Sequence, residues 1–160
     1  MPEIICGEFT IDYLDEGDGS PVILIPSSGS GIRQWRKLVD KMSDRYRMIS
    51  MNFFGYGKTS AWSSKNPQTL NDSADLVIAL ADLFGGPISL IGHSFGGSVA
   101  MKAALRLEDR IESLVLIEPN PFYLLKDHGR IEACQEVSSL GRFVKKLVVK
   151  VNGKRWLLVL

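Results

Sequence analysis

Along the first 120 residues the apolar positions change period in a regular alternation. EIICGEFTIDYLDEG (3–17) alternates apolar and polar residues, the period of half-buried strands, and predicts an edge hairpin closed by the turn residues of GDGSP. PVILIP (21–26) is almost continuously apolar, as expected of a strand covered by helices on both faces, and should be central. Between Gly31 and Asp44, Trp35, Leu38, Val39 and Met42 recur at i, i+3, i+4 and i+7, which predicts one buried helix face, with arginines and lysines on the other. YRMISMNFF (46–54) reads as the next strand and GYGKTSAWSSKNPQTL (55–70) as a long loop. NDSADLVIALADLFGG (71–86) reads as a helix capped by Asn71, Asp72 or Ser73, buried along Leu76, Val77, Leu80, Leu83 and Phe84, and stopped by Gly85 and Gly86. PISLIG, GGSVAMKAALRLED and IESLVLIEP follow as strand, helix and strand. Such alternation after an initial hairpin predicts an α/β fold with a mostly parallel, doubly wound sheet.

The tail GRFVKKLVVKVNGKRWLLVL (141–160) obeys no single period. Phe143, Leu147 and Val151 have helical spacing, whereas Asn152-Gly153 signals a tight hairpin, and both readings stay open. Its apolar end, WLLVL, predicts self-association.

Where the strand PISLIG meets the helix GGSVAMKAALRLED stands Gly92-His93-Ser94-Phe95-Gly96, a G-x-S-x-G pattern. A sharp strand-to-helix turn puts the central residue in a strained backbone conformation, and the flanking glycines let strand and helix approach closely. The serine hydroxyl is then left exposed at a helix N-terminus, where free N–H groups and the helix dipole favour an anion. That combination points to Ser94 as an acyl-transfer nucleophile.

On these residues the chain resembles the alpha/beta-hydrolase fold family, from about Glu3 to Lys126. LIPSSGSGIRQW (24–35) is similar to the family's oxyanion loop, with Pro26-Ser27 where a His-Gly pair is usual. The likeness implies that the main-chain N–H groups of Ser28 and of Phe95, the residue after the nucleophile, hold the oxyanion. MNFFGYGKTS (51–60) is similar to the family's Asp-x-x-Gly-x-Gly-x-Ser loop, with Asn52 at the aspartate and Gly55 and Gly57 as turn residues. It lacks the first glycine that a phosphate-binding loop requires. The resemblance implies a serine hydrolase acting on an ester, thioester, amide or carbon–carbon bond of a small molecule, with no cofactor and no metal.

In this family the triad runs serine, acid, histidine, with the histidine after the last strand. The sequence holds two histidines. His93 adjoins the nucleophile and reads as a packing residue pointing away from its hydroxyl; His128, in LLKDHGR, reads as a solvated residue of a cap. Glu118, at the end of IESLVLIEP, is either the triad acid or a pocket-wall and cap-hinge residue. Eight strands need on the order of 240 residues at roughly 30 per strand–helix unit. The 160 residues therefore predict a fold truncated after strand 6, with a hydrolase core over 1–121 and the incomplete start of a cap over 122–160. The alternative to an active hydrolase is a catalytically incompetent fragment lacking the triad histidine.

Composition adds exclusions. An apolar content of 45% suffices for a packed core, and 19 Lys+Arg against 18 Asp+Glu leave no basic field, which speaks against nucleic acid as a partner. The first twenty residues are acidic and hold no long apolar run, which argues against a signal peptide or membrane anchor. Cys6 and Cys134 match no metal or redox spacing and read as reduced packing residues of a cytoplasmic protein.

Overall fold

The computed structural model describes residues 2–120, 122–151 and 154–157. The chain divides into two compact units, Met1–Asn120 and Pro121–Leu160. In the first, strands β1 (Glu3–Cys6), β2 (Phe9–Glu16), β3 (Ser20–Ile25), β4 (Tyr46–Met51), β5 (Ile88–His93) and β6 (Ile111–Ile117) form one sheet in the order β1-β2-β4-β3-β5-β6. β1 and β2 are the expected edge hairpin, β2 runs antiparallel to β4, and β4, β3, β5 and β6 are mutually parallel.

The continuous apolar run of β3 has its reason in the layers. Val22 and Leu24 face helix α1 (Arg36–Met42) and the 3-10 turn before it (Ile32–Trp35), packing with Met48, Trp35 and Val39. Ile23 and Ile25 face the other way, into a larger core built with helices α2 (Leu70–Phe84) and α3 (Phe95–Leu107). Full burial of each such side chain is worth about 1.5–3 kcal/mol, which makes β3 the centre of both layers. From β3 the chain crosses to β4 on one side; from β4 it passes back over β3 to β5 and on to β6. The connections thus diverge between the neighbours β3 and β5, the point of an open parallel sheet where a crevice forms at the strands' carboxyl ends.

Two local expectations are corrected. The cap of α2 is Thr69, not Asn71, Asp72 or Ser73: its hydroxyl accepts from the Asp72 N–H while the Asp72 carboxylate accepts from the Thr69 N–H, a reciprocal box that starts the helix earlier. Leu83, in the last turn before Gly85, is exposed; small residues, Ser73, Ala74 and Ala81, are buried in its stead with Leu76, Val77 and Leu80.

The second unit holds α4 (Tyr123–Asp127), α5 (Ile131–Leu147) and an antiparallel hairpin of β7 (Val148–Val151) and β8 (Lys154–Leu157). Of the residues at helical spacing, Phe143 and Leu147 are in α5 and Val151 is in β7; Asn152-Gly153 and the last residues of WLLVL lie outside the described residues. Among the described residues no helix is long and apolar enough to cross a membrane.

Candidate active site

Ser94 is the residue between β5 and α3, partly exposed, with φ 53° and ψ −117°. That conformation is sterically costly for any residue with a Cβ, by about 1–3 kcal/mol, and three neighbours enforce it. The Ser94 N–H donates to the Ile117 carbonyl at the end of β6 (2.9 Å), and its own carbonyl accepts from the Gly97 N–H at 2.9 Å. A Cβ on Gly92 would strike the Gly96 carbonyl, one on Gly96 the carbonyls of Ile25 and Pro26, and one on Gly97 the Pro119 ring at 2.9 Å. The glycines are therefore required by close backbone packing of β3, β5 and β6 against the first turn of α3.

Ser28, in the loop after β3, and Phe95, at the start of α3, line one side of a cavity of about 280 Å³. Phe53, Phe54 and Tyr56 after β4 and Gln68, Thr69, Leu70 and Ser73 around the start of α2 line the rest. Neither the Ser28 nor the Phe95 N–H has a hydrogen-bond partner among the described residues. The cavity thus lies at the carboxyl ends of β3, β4 and β5, with two unused amides on its wall. Trp35 is buried against Val22, Leu24 and Met48 on the α1 side.

The loop after β3 is held from two directions. Asn52 accepts from the Ile32 N–H (3.1 Å) and donates to Asp12 Oδ2 (3.0 Å), which also accepts from the Lys58 N–H. Asp12 is fully buried, and its Oδ1 has no partner among the described residues. Tyr56 Oη accepts from the Gly29 N–H at 3.1 Å. From the other side, Gln34 Oε1 accepts from both the N–H and the hydroxyl of Ser27 (3.0 and 2.9 Å), and Gln34 Nε2 lies 3.1 Å from His93 Nδ1. His93 Nε2 faces Glu118 Oε2 at 3.9 Å. Glu118 follows β6 with φ 45° and an 87% exposed side chain. His128 belongs to the second unit. Among the described residues no group of three His, Cys, Asp or Glu side chains is arranged to hold a metal.

Gln34, Asp12 and Tyr56 had no role in the sequence reading. Their only sequence signals are a polar residue just before a buried tryptophan, a carboxylate inside an alternating strand, and an aromatic between two turn glycines.

Residues 20–146 match the model of the alpha/beta hydrolase fold. The chain belongs to the alpha/beta hydrolase fold family. Among its relatives, the 2-hydroxy-6-oxo-6-(2'-aminophenyl)hexa-2,4-dienoic acid hydrolase of Metapseudomonas resinovorans is 31% identical over 110 residues, 66% of this chain and 37% of that protein. The pimeloyl-[acyl-carrier protein] methyl ester esterase of Aliivibrio salmonicida is 29% identical over 66% of this chain and 38% of its own length. A solved meta-cleavage product hydrolase from Pseudomonas fluorescens IP01 superposes with a TM-score of 0.68 at 30% identity, over 74% of this chain and 45% of that one. The chain thus spans less than half the length of these relatives, two named as hydrolases and one as an esterase.

Proposed function

We propose that Ser94 is the nucleophile of a hydrolase that cleaves an ester or related acyl bond, including a carbon–carbon bond beside a carbonyl, in a small molecule. The observation that carries this reading is the strained Ser94 turn, φ 53°, at the N-terminus of α3, whose first residue Phe95 lines a cavity together with Ser28. Attack of the Ser94 hydroxyl on an acyl carbon forms a tetrahedral oxyanion; the Phe95 and Ser28 N–H groups donate to it, aided by the positive end of α3. Collapse expels the leaving group with a proton, and water then hydrolyses the acyl-serine. The mostly apolar cavity suits an apolar acyl chain, and the relatives named for ester and dienoic acid hydrolysis support the bond class.

A serine hydroxyl needs a base in hydrogen-bond reach. His93 does not supply it, because Nδ1 meets Gln34 and Nε2 meets Glu118. That observation favours a second reading for the isolated 160 residues: binding without efficient turnover. Glu118 is the carboxylate we assign as a candidate triad acid, for a histidine other than His93. The test is hydrolysis of short p-nitrophenyl esters by the chain, by Ser94→Ala and by His128→Ala, with mass spectrometry of the Ser94 peptide after fluorophosphonate treatment. We expect acceleration over water of at most roughly 10³–10⁴ and, on prolonged treatment because no base activates the hydroxyl, a phosphonyl adduct on Ser94 alone. An adduct on another residue and none on Ser94 sinks the nucleophile assignment; strong turnover abolished by His128→Ala makes His128 the base.

A further inference from the structure

We propose that Gln34 is a positioning residue: its carboxamide couples the loop after β3 to the end of β5, aims the Ser28 N–H, and holds His93 with its ring proton on Nε2. The donor–acceptor chemistry allows one assignment. The Ser27 N–H only donates, so the Gln34 atom 3.0 Å from it is the carbonyl oxygen Oε1, which also accepts the Ser27 hydroxyl at 2.9 Å. The other end of the carboxamide is then an NH₂ group, and it points at His93 Nδ1 from 3.1 Å. An NH₂ group offers only protons, so Nδ1 presents its lone pair and the neutral ring carries its proton on Nε2, toward Glu118.

The same contacts set the direction of the Ser28 N–H. Ser27 is pinned at its N–H and its hydroxyl by Gln34, and its carbonyl accepts from the Ser30 N–H at 3.2 Å. The Ser27 carbonyl and the Ser28 N–H share one planar peptide and point in opposite directions, so fixing the first fixes the second. Through His93, which is one residue from Ser94, the loop and the turn are held in one register. The catalytic meaning rests on the reading of Ser28 as an oxyanion donor; the tie itself does not.

The experiment uses the ¹⁵N-labelled 160-residue chain at about pH 9, where histidine rings are neutral. Long-range ¹H–¹⁵N ring spectra are expected to show His93 in the Nε2–H form with Nδ1 bare. Gln34→Glu, of the same shape, replaces the donor with an acceptor and is expected to move the ring proton to Nδ1 while the carboxylate keeps the Ser27 N–H. Gln34→Met, which keeps the volume and removes the hydrogen bonds, is expected to raise amide exchange at Ser27 roughly 5- to 10-fold. A wild-type ring protonated on Nδ1, or a Gln34→Glu ring identical to the wild type, overturns the proposal; these two spectra decide it even where Gln34→Met fails to fold. Loss of the Ser94 adduct with the ring pattern intact would sink the hydrolase reading and leave the tie standing.

Discussion

Asn52 Nδ2 donates to Asp12 Oδ2 at 3.0 Å, and both side chains are buried between β2, the end of β4 and the loop that follows it. The amide serves there because it has a proton to give: a carboxylate at position 52 would face another carboxylate out of reach of water. Its oxygen meanwhile receives the Ile32 N–H, so one side chain joins the strand floor to the loop above the sheet.

Asn52→Asp is therefore expected to destabilise the chain by about 3 kcal/mol or more at pH 8, as an uncompensated buried charge does. Two carboxylates sharing a site raise a carboxyl pKa above its unfolded value, so stability is retained at low pH and lost as pH rises through the raised value. Urea unfolding of Asn52→Asp at pH 5 and pH 8 checks the sign; equal loss at both would contradict it. Asn52→Ala, without the second charge, should show a smaller loss of about 1–3 kcal/mol.

The Ser94 conformation makes a prediction of opposite sign. Ser94→Gly removes the Cβ from a backbone at φ 53°, and relief of strain less the added chain entropy leaves a gain of about 1 kcal/mol, or roughly 2–4 °C in Tm. Ser94→Ala keeps the Cβ and should melt with the wild type. A glycine variant melting below the alanine variant would show that the turn stores no strain.

Gly96→Ala and Gly29→Ala separate steric need from conformational need. A Cβ at 96 collides with the carbonyls of Ile25 and Pro26 in the centre of the sheet, and folded protein should be lost or Tm lowered by roughly 10 °C or more. Gly29 has φ 78° with nothing within 4 Å of the added carbon, so Ala costs about 1 kcal/mol there. Thermal melts of both variants, with Ser94 labelling on the folded fraction, provide the comparison.

The cap of α2 responds to pH. Hydrogen bonds from the Thr69 side chain and N–H hold the Asp72 carboxyl below its ordinary value. A lowered pKa contributes stability that is complete above the ordinary aspartate value of about 4 and is lost as pH falls through the lowered one. Amide exchange at Asp72 and Ser73, taken relative to the unprotected rate at each pH, should accelerate across that acidic window in the wild type and be fast throughout in Thr69→Ala. Exchange flat with pH in both proteins would refute the assignment.

What could be read in advance follows from where each signal is stored. The burial of β3 on both faces and the turn at Ser94 are written locally, in PVILIP and in the glycines at 92 and 96, because packing on both sides and close backbone approach each demand a residue type in place. The α2 cap was misplaced because three capping residues in a row, Asn71 to Ser73, compete, and only the reciprocal bond with Thr69 decides among them. Gln34 and Asp12 were invisible because their partners, His93 and Asn52, lie 59 and 40 residues away. A polar residue acquires such a role only when the sheet brings its partner near.

The backbone contacts around Ser94 bear on how the site comes into being. Ile25 and Pro26 against Gly96, Ile117 on the Ser94 N–H, and Pro119 against Gly97 bring the ends of β3 and β6 onto the turn that follows β5. Each contact closes a loop of more than twenty residues, whose entropy is spent before any contact rewards it. The Ser94 turn is thus complete only when β3, β5 and β6 have all docked. Its formation reports completion of the sheet, and a single cleavage in the loop between β4 and α2 should loosen the turn at Ser94 without touching a residue of it.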